Sequence, residues 1–316
     1  MTDVMIEATG LCQRFGDVTA LDRVDLRVRR GSVVGLLGHN GAGKTTLINI
    51  LSTLVPPTAG TAVVAGHDVT TEPREVRRRI GLTGQFAAVD EQLSGMDNLV
   101  LIARLLGSGR AAARVRATEL IELFDLREAA RRPAGTYSGG MRRRLDIAAS
   151  IVGQPEVIFL DEPTTGLDPV SRNGVWELVE DLTRNGATVL LTTQYLEEAD
   201  RLAGEIVVLS SGRVIASGTP EELKARVGRL TAHITLVEET QMTTALQALK
   251  RIRLDPHHDD ERAELHVALE ESSGLASVVR ALDDASVALN RLVLTEPTLD
   301  DVYLSLSGAK TLPTAA

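Results

Sequence analysis

Between residues 4 and 35 apolar and polar positions alternate, as at Val24, Leu26 and Val28, and a period of two predicts strands with one buried face. The run VVGLL, Val33 to Leu37, has no polar position, so it predicts a strand buried on both sides, and it leads directly into glycines. Beyond them Leu47, Ile48, Ile50, Leu51 and Leu54 recur at helical spacing until Pro56 and Pro57 end the pattern. The predicted unit is strand, glycine loop, helix. Residues 97 to 150 are rich in Ala, Leu, Arg and Glu and lack strand-like runs, which predicts several helices. Strand-like runs return at VIFL (Val157 to Leu160), TVLLT (Thr188 to Thr192) and IVVL (Ile206 to Leu209), separated by helix-like segments. That is the pattern of a parallel sheet covered on both faces, with a helical insert dividing one α/β core.

The pattern changes near residue 225. HITLVEE, AELHVALE and ALNRLVLT read as strands, alternating with helix-like segments around 241 to 252 and 275 to 284. The expected division is therefore 1–224 for the α/β part, with its helical subdomain at about 86–150, and 225–307 for a small α+β domain. The tail GAKTLPTAA, 308–316, is expected to be disordered.

Composition changes this picture in three ways. At 316 residues the chain has room for two domains. Its net charge of -9 argues against a surface that binds a polyanion over its whole extent. One cysteine, Cys12, excludes an intrachain disulfide framework. The N-terminal residues carry no basic segment followed by an apolar run, and no apolar stretch approaches the roughly 20 residues that span a bilayer. The expectation is a soluble chain that reaches a membrane only through a partner.

The glycines after Leu37 belong to GHNGAGKT, Gly38 to Thr45, which matches the phosphate-binding loop pattern between a buried strand and an amphipathic helix. Gly41 and Gly43 allow the backbone N–H groups of the Gly38, His39, Asn40 and Ala42 stretch to turn inward around phosphate oxygens. The helix that follows adds its positive end, and Thr46 joins the expected nucleotide-binding residues. Lys44 would offer a point charge to the β and γ phosphates and Thr45 a hydroxyl to Mg2+. The bland alternative is a glycine turn with a surface lysine. VIFLDEP, Val157 to Pro163, would deliver two carboxylates to the ligand-binding edge of the sheet. Asp161 suits the Mg2+ shell, and Glu162 suits orienting or deprotonating an attacking water. Taken alone, such a pair can equally be a solvated acidic strand end.

YSGGM, Tyr137 to Met141, opens a helix-like segment and would present bare amides and a hydroxyl to an anion, though by itself it is a capped helix start. Two arginine runs, Arg77 to Arg79 and Arg142 to Arg144, fall in helix-like segments beside acidic residues and read as mixed solvated faces, so no nucleic acid is expected. His257-His258 followed by Asp259-Asp260 reads as a polar loop in preference to a metal chelate.

The order of these motifs, phosphate loop, Gln85 in TGQF, YSGGM, LDEP and then GLD at Gly166 to Asp168, resembles the nucleotide-binding subunit of ATP-binding-cassette (ABC) transporters over roughly residues 4 to 220. The resemblance implies the P-loop NTPase ABC ATPase fold, with an antiparallel β subdomain and a helical subdomain, binding ATP and Mg2+. It implies a head-to-tail homodimer in which each ATP lies between one phosphate loop and the partner's Ser138-Gly139-Gly140. It further implies that Phe15 stacks on adenine, that Gln85 touches Mg2+ or water, and that Asp168 connects the two sites. An aromatic beside a strand, such as Phe15, is otherwise usually a core residue.

Gln194, in TTQYLEEAD, stands where that family usually has a histidine contacting the γ-phosphate. A glutamine can donate an N–H to phosphate but cannot become cationic near neutral pH, which favours Glu162 as the principal catalytic group. This substitution and the ending TEPTLDDVYLSLSG are similar to the daunorubicin/doxorubicin-resistance type of ATP-binding subunit in ABC-2 exporters. That implies a peripheral protein on the cytoplasmic face of the membrane, powering efflux of a lipophilic drug through a separate ABC-2 permease. The alternatives are a soluble ABC ATPase acting on ribosomes or DNA, or a regulatory nucleotide switch. A single cassette, the acidic balance and the C-terminal region weigh against the first, and a search for a membrane partner decides the second.

Overall fold

A computed structural model describes residues 3–84, 89–227, 230–259, 264–269 and 273–295, with 298, 299 and 302. The chain divides into two compact units, Met1–Pro220 and Glu221–Ala316.

The first unit begins with a long antiparallel pair, β1 (Val4–Phe15) and β2 (Val18–Arg29), whose alternating burial follows from the alternating sequence. β3 (Val33–Leu37) is buried at every position and is followed by α1 (Lys44–Leu51). Next come β4 (Ala59–Val64), β5 (His67–Asp68), α2 (Pro73–Arg79) and β6 (Ile80–Thr83). The helical insert holds α3 (Gly95–Leu105), α4 (Arg110–Leu123) and α5 (Gly139–Ser150), and the chain continues through β7 (Val157–Asp161), α6 (Pro169–Arg184), β8 (Thr188–Thr193), α7 (Leu196–Leu202), β9 (Glu205–Ser210) and β10 (Arg213–Gly218). One sheet has the order β2-β1-β4-β5 and the other β10-β9-β3-β8-β7-β6, in which β9, β3, β8, β7 and β6 run parallel. The apolar runs of β3, β7 and β8 are buried throughout because helices cover both faces of a parallel sheet.

One apolar cluster lies between the two sheets around α1, with Ile6, Leu36, Leu47 and Phe159 at its centre. Another joins the helical insert to α6, with Leu99, Leu120, Leu145 and Trp176. These are the antiparallel, parallel and helical parts that the sequence predicts.

The second unit contains all but the first residue of α8 (Pro220–Val227), then β11 (Leu230–Leu236), α9 (Met242–Arg251), β12 (Pro256–Asp259), β13 (Glu264–Leu269), α10 (Gly274–Asp284) and β14 (Leu289–Thr295). Its antiparallel sheet has the order β12-β13-β11-β14. Ile234 and Val267 on the strands pack with Leu249 of α9 and Leu282 of α10 in a separate core. One expectation is corrected here. Pro256–Asp259 is not a loop but an edge strand paired with β13, a position that tolerates proline because one side of an edge strand needs no ladder hydrogen bond. The expected tail, 308–316, lies outside the described residues.

Candidate active site

Three parallel strands end at one edge of the six-stranded sheet. The register pairs Leu37 of β3 with Thr193 of β8, and Asp161 of β7 with Thr192 of β8. Gly38, Glu162 and Gln194 each follow directly, so the phosphate loop, the acidic pair and the glutamine meet where open α/β sheets bind ligands.

The loop is shaped by its glycines. Gly41 and Gly43 have φ values of 83° and 107°, in the left-handed region where a side chain is strained. A Cβ on Gly38 would come within 2.5 Å of the Leu209 carbonyl oxygen. His39 closes the loop by donating from Nδ1 to the Asn40 carbonyl at 2.6 Å, and Ala42 N donates to His39 O at 3.1 Å. Lys44 opens α1 and is only 4% exposed, yet it is charged. Its Nζ donates to Gly38 O at 2.6 Å and to His39 O at 3.3 Å, and lies 3.4 Å from Glu162 Oε1. These contacts compensate a buried ammonium. Thr45 and Thr46 follow in the first turn, both half-buried.

Asp161 is 3% exposed and accepts from the Thr192 hydroxyl at 2.5 Å and from the Thr45 hydroxyl at 3.4 Å. The same Thr192 oxygen accepts from the Glu162 amide at 3.0 Å, so one hydroxyl fixes both acidic residues. Glu162 adopts φ 48°, an uncommon backbone for a non-glycine residue. That turn aims its carboxylate back toward Lys44, with Thr165 Oγ1 donating to Oε2 at 3.2 Å. Arg143 braces the region from α5. Its guanidinium donates to the carbonyls of Asp161 at 3.0 Å, Pro163 at 2.7 Å and Gly84 at 3.2 Å. Burial pushes its pKa down from the usual guanidinium range, opposed by Asp146, Asp161 and Glu198. A solvated face therefore describes Arg142, paired with Glu91 at 2.7 Å, and not Arg143.

Behind the acidic pair, Glu198 is fully buried and accepts from Thr164 Oγ1 at 2.9 Å and Trp176 Nε1 at 3.1 Å. Desolvation raises its pKa above the ordinary carboxylate value, against lowering by hydrogen bonds from Thr193, Thr164 and Trp176 and by the Arg143 charge. Thr192, Arg143 and Glu198 escape sequence reasoning because each acts through cross-strand or interhelical placement that no contiguous motif records.

The remaining predicted residues stand elsewhere on the unit. Ser138 caps α5, accepting from Met141 N at 3.2 Å, and both Ser138 and Gly139 are exposed. Gly140 is buried, and a Cβ there would collide with Ser171 of α6, which gives this glycine a packing role inside the chain. Asp168 caps α6 through Oδ1, which accepts from Val170 N and Ser171 N at 3.0 Å each, while Oδ2 accepts from Ser171 Oγ at 2.6 Å. The Ser171 hydrogen bonds hold its carboxyl below the usual range. Phe15 ends β1 and is 51% exposed. Its neighbour Arg14 lines a cavity of about 690 Å³ with Thr19, Ser211 and Arg213, and the adjacent Gly212 N donates to Ala42 O in the phosphate loop at 3.0 Å. Gln194 is half-buried at the end of β8. Gln85 lies outside the described residues.

Lys44 at the start of α1 offers a side chain suited to an anion, and the Thr45 and Asp161 oxygens form a hard donor set suited to a divalent cation such as Mg2+. Glu162 supplies a carboxylate beside both. Comparison with known proteins agrees with this chemistry. Residues 21–165 match the family model described as ABC transporter, and residues 218–307 match that described as ATP-binding protein DrrA1-3-like, C-terminal domain. The chain is 50% identical over 318 residues to the daunorubicin resistance ATP-binding protein DrrA2 of Streptomyces coeruleorubidus, covering 100% of this chain and 99% of that protein. It is 48% identical over 304 residues to the daunorubicin/doxorubicin resistance ATP-binding protein DrrA of Streptomyces peucetius, covering 96% and 92%. Among solved structures, a dimeric ATP-binding cassette in a post-hydrolysis state with ADP and Pi is similar with a TM-score of 0.62 at 25% identity, covering 68% of this chain and 98% of that one.

Proposed function

The chain belongs to the ATP-binding subunits of ABC transporters, in the daunorubicin/doxorubicin-resistance group, whose ATPases power transport, and we propose that two copies sandwich two ATP molecules to drive efflux of a lipophilic drug or antibiotic. The permease is a separate ABC-2 membrane protein, and this subunit docks on it from the cytoplasm. Among the described residues no helix is long and apolar enough to cross a membrane. The DrrA-like match at 218–307 favours export over action on ribosomes or DNA.

The observation that carries the reading is the convergence of Lys44, Thr45, Asp161 and Glu162 at one sheet edge. Lys44 exchanges carbonyl oxygens for phosphate oxygens when ATP enters. Thr45 and Asp161 would hold Mg2+, which would offset phosphate charge. Releasing Lys44 to phosphate leaves the Glu162 carboxylate to orient a water and accept its proton as the water attacks phosphorus. Gln194, next to the loop, donates an N–H to the γ-phosphate, and Gln85, outside the described residues, would touch the metal or water as the family resemblance implies. Phe15 stacks on adenine, an arrangement its exposure permits. Ser138 and Gly139 are exposed and available to the partner's ATP, and Asp168 links the sites across the dimer.

Glu162→Gln tests this reading. It is expected to retain ATP binding while hydrolysis slows by roughly 10² to 10⁴, the range for a lost general base. The ATP-bound variant should sediment as a dimer and copurify with a coexpressed ABC-2 permease. A variant that hydrolyses at the wild-type rate, or stays monomeric at saturating ATP, would overturn the sandwich.

A further inference from the structure

On the second unit, strand register aligns three of the chain's six histidines. His257 of β12 stands opposite His266 of β13, and His266 stands opposite His233 of β11. One step along the same face, Asp259 opposes Glu264, and Glu264 opposes Thr235. Alternate residues Ala232, Ile234, Leu265 and Val267 enter the core with α9 and α10. Successive strand residues point to opposite faces, so the histidines and Glu264 share the polar side of the sheet.

We propose that His233, Glu264 and His266 form a binding site for a divalent transition-metal ion of the zinc class. Glu264 Oε2 lies 3.8 Å from His233 Nδ1 and 3.6 Å from His266 Nε2. One donor atom from each residue lies within 4.8 Å of the other two. Tetrahedral zinc with bonds of about 2.0–2.2 Å separates its ligand atoms by roughly 3.3 Å. Two edges of such a polyhedron are therefore nearly in place, and side-chain torsions close the third. The two imidazole rings are tilted by 56° with centroids 4.4 Å apart, fanned around the carboxylate and not stacked.

Two details point to a cation. His266 Nε2 is shielded from solvent and has no hydrogen-bond partner, although Glu264 Oε2 faces it. A buried ring nitrogen in that condition is costly unless something else satisfies it. The second detail is the tautomer of His233. Thr295 Oγ1 uses its one proton to donate to Thr231 O at 3.2 Å, so it accepts from His233 Nε2–H at 2.9 Å. Nδ1, on the side of Glu264, then carries the ring's lone pair. An outer ring N–H held by an oxygen is the usual support of a metal-bound histidine. Two imidazoles and one carboxylate suit zinc and exclude a magnesium preference, since magnesium takes oxygen ligands. His257, one strand further out, is placed to supply a fourth ligand.

The test is titration of the metal-free, nucleotide-free full chain with zinc chloride by calorimetry, with cobalt(II) visible absorption reporting tetrahedral coordination. The expected result is a zinc ion bound per chain and intense cobalt bands. His233→Gln combined with His266→Gln should abolish both while ATPase activity persists. Thr295→Val, which leaves all three ligands in place, should weaken zinc about 10- to 100-fold, the usual effect of losing such a supporting residue. Absence of zinc binding in the wild type overturns the proposal. So does unchanged affinity in the double variant, which would locate the metal at another site such as Asp161 and Glu162. If the double variant does not fold, an unchanged affinity in Thr295→Val decides against the proposal by itself.

Discussion

In the first unit the reactive side chains stand at or just beyond the carboxyl ends of β3, β7 and β8, including the first turn of α1, whereas in the second the candidate ligands stand within strands β11 and β13. A site on turns is written as contiguous motifs, because a few successive residues must shape one backbone. A site on a sheet face is written as scattered residues, here His233 about 30 positions before Glu264 and His266, which meet only through register. The two also differ in what surrounds them. The turns adjoin buried charge, with Lys44 and Asp161 almost inaccessible, while the sheet face is backed by an apolar core one residue away on each strand.

The sharpest way to separate the units is Lys44→Ala. It removes the only side-chain cation among the described residues of the phosphate loop, and ATP turnover should fall by about 10³, the scale of a lost donor to developing charge. Thermal stability of the second unit and its zinc binding should be unaffected. Unchanged turnover would contradict the loop's role. The converse lesion is Ile234→Ala, at a fully buried position in the second core. It should cost that unit about 2–5 kcal/mol, read by denaturant titration, with ATP affinity retained. Parallel loss of ATP binding would show that the two units unfold as one and would erase the comparison.

A smaller effect concerns Glu198. Its folded pKa is raised above the unfolded value near 4.5, so the folded state holds the proton more tightly. The associated stability is fully present below that unfolded value and is lost as pH rises through the folded pKa. Glu198→Gln should therefore flatten the decline of melting temperature with rising pH above about 4.5. An unaltered slope would mean that the buried carboxyl does not titrate there. The second unit has no equivalent buried carboxylate among its described core residues, so the change should be confined to the first transition.

These contrasts explain what could be read in advance. The phosphate loop and the Asp161-Glu162 pair are legible because each follows a run of apolar residues that can only be a buried strand. Thr192 lies inside such a run, and nothing local distinguishes its hydroxyl from that of Thr188. Only the pairing with Asp161 makes it a clamp. Arg143 has two arginine neighbours, and helix rotation alone turns it inward onto three carbonyls while Arg142 meets Glu91. Gly140 looks like part of an anion turn, yet its position against Ser171 already requires a glycine. In the second unit β11, β13 and β14 are legible by alternation, but β12 is a short edge segment with a proline and two histidines, formed because β13 offers a free edge. The His233, Glu264 and His266 cluster follows from the β11–β13 register, which no single segment of sequence records.

The central claim is that the first unit's site is completed by a second copy of the chain, and a mixing experiment tests it most directly. Lys44→Ala and Ser138→Arg proteins are each expected to be inactive, one lacking the phosphate-loop charge and the other carrying bulk and charge where the partner's γ-phosphate lies. In a mixed dimer both lesions fall in one composite site and leave the other intact. Random pairing of equal amounts therefore restores about a quarter of wild-type sites, by the symmetry of a two-fold dimer. Steady-state ATPase assayed across mixing ratios should rise to a maximum near equal proportions. Activity that stays at the level of the two separate variants at every ratio would contradict the shared site.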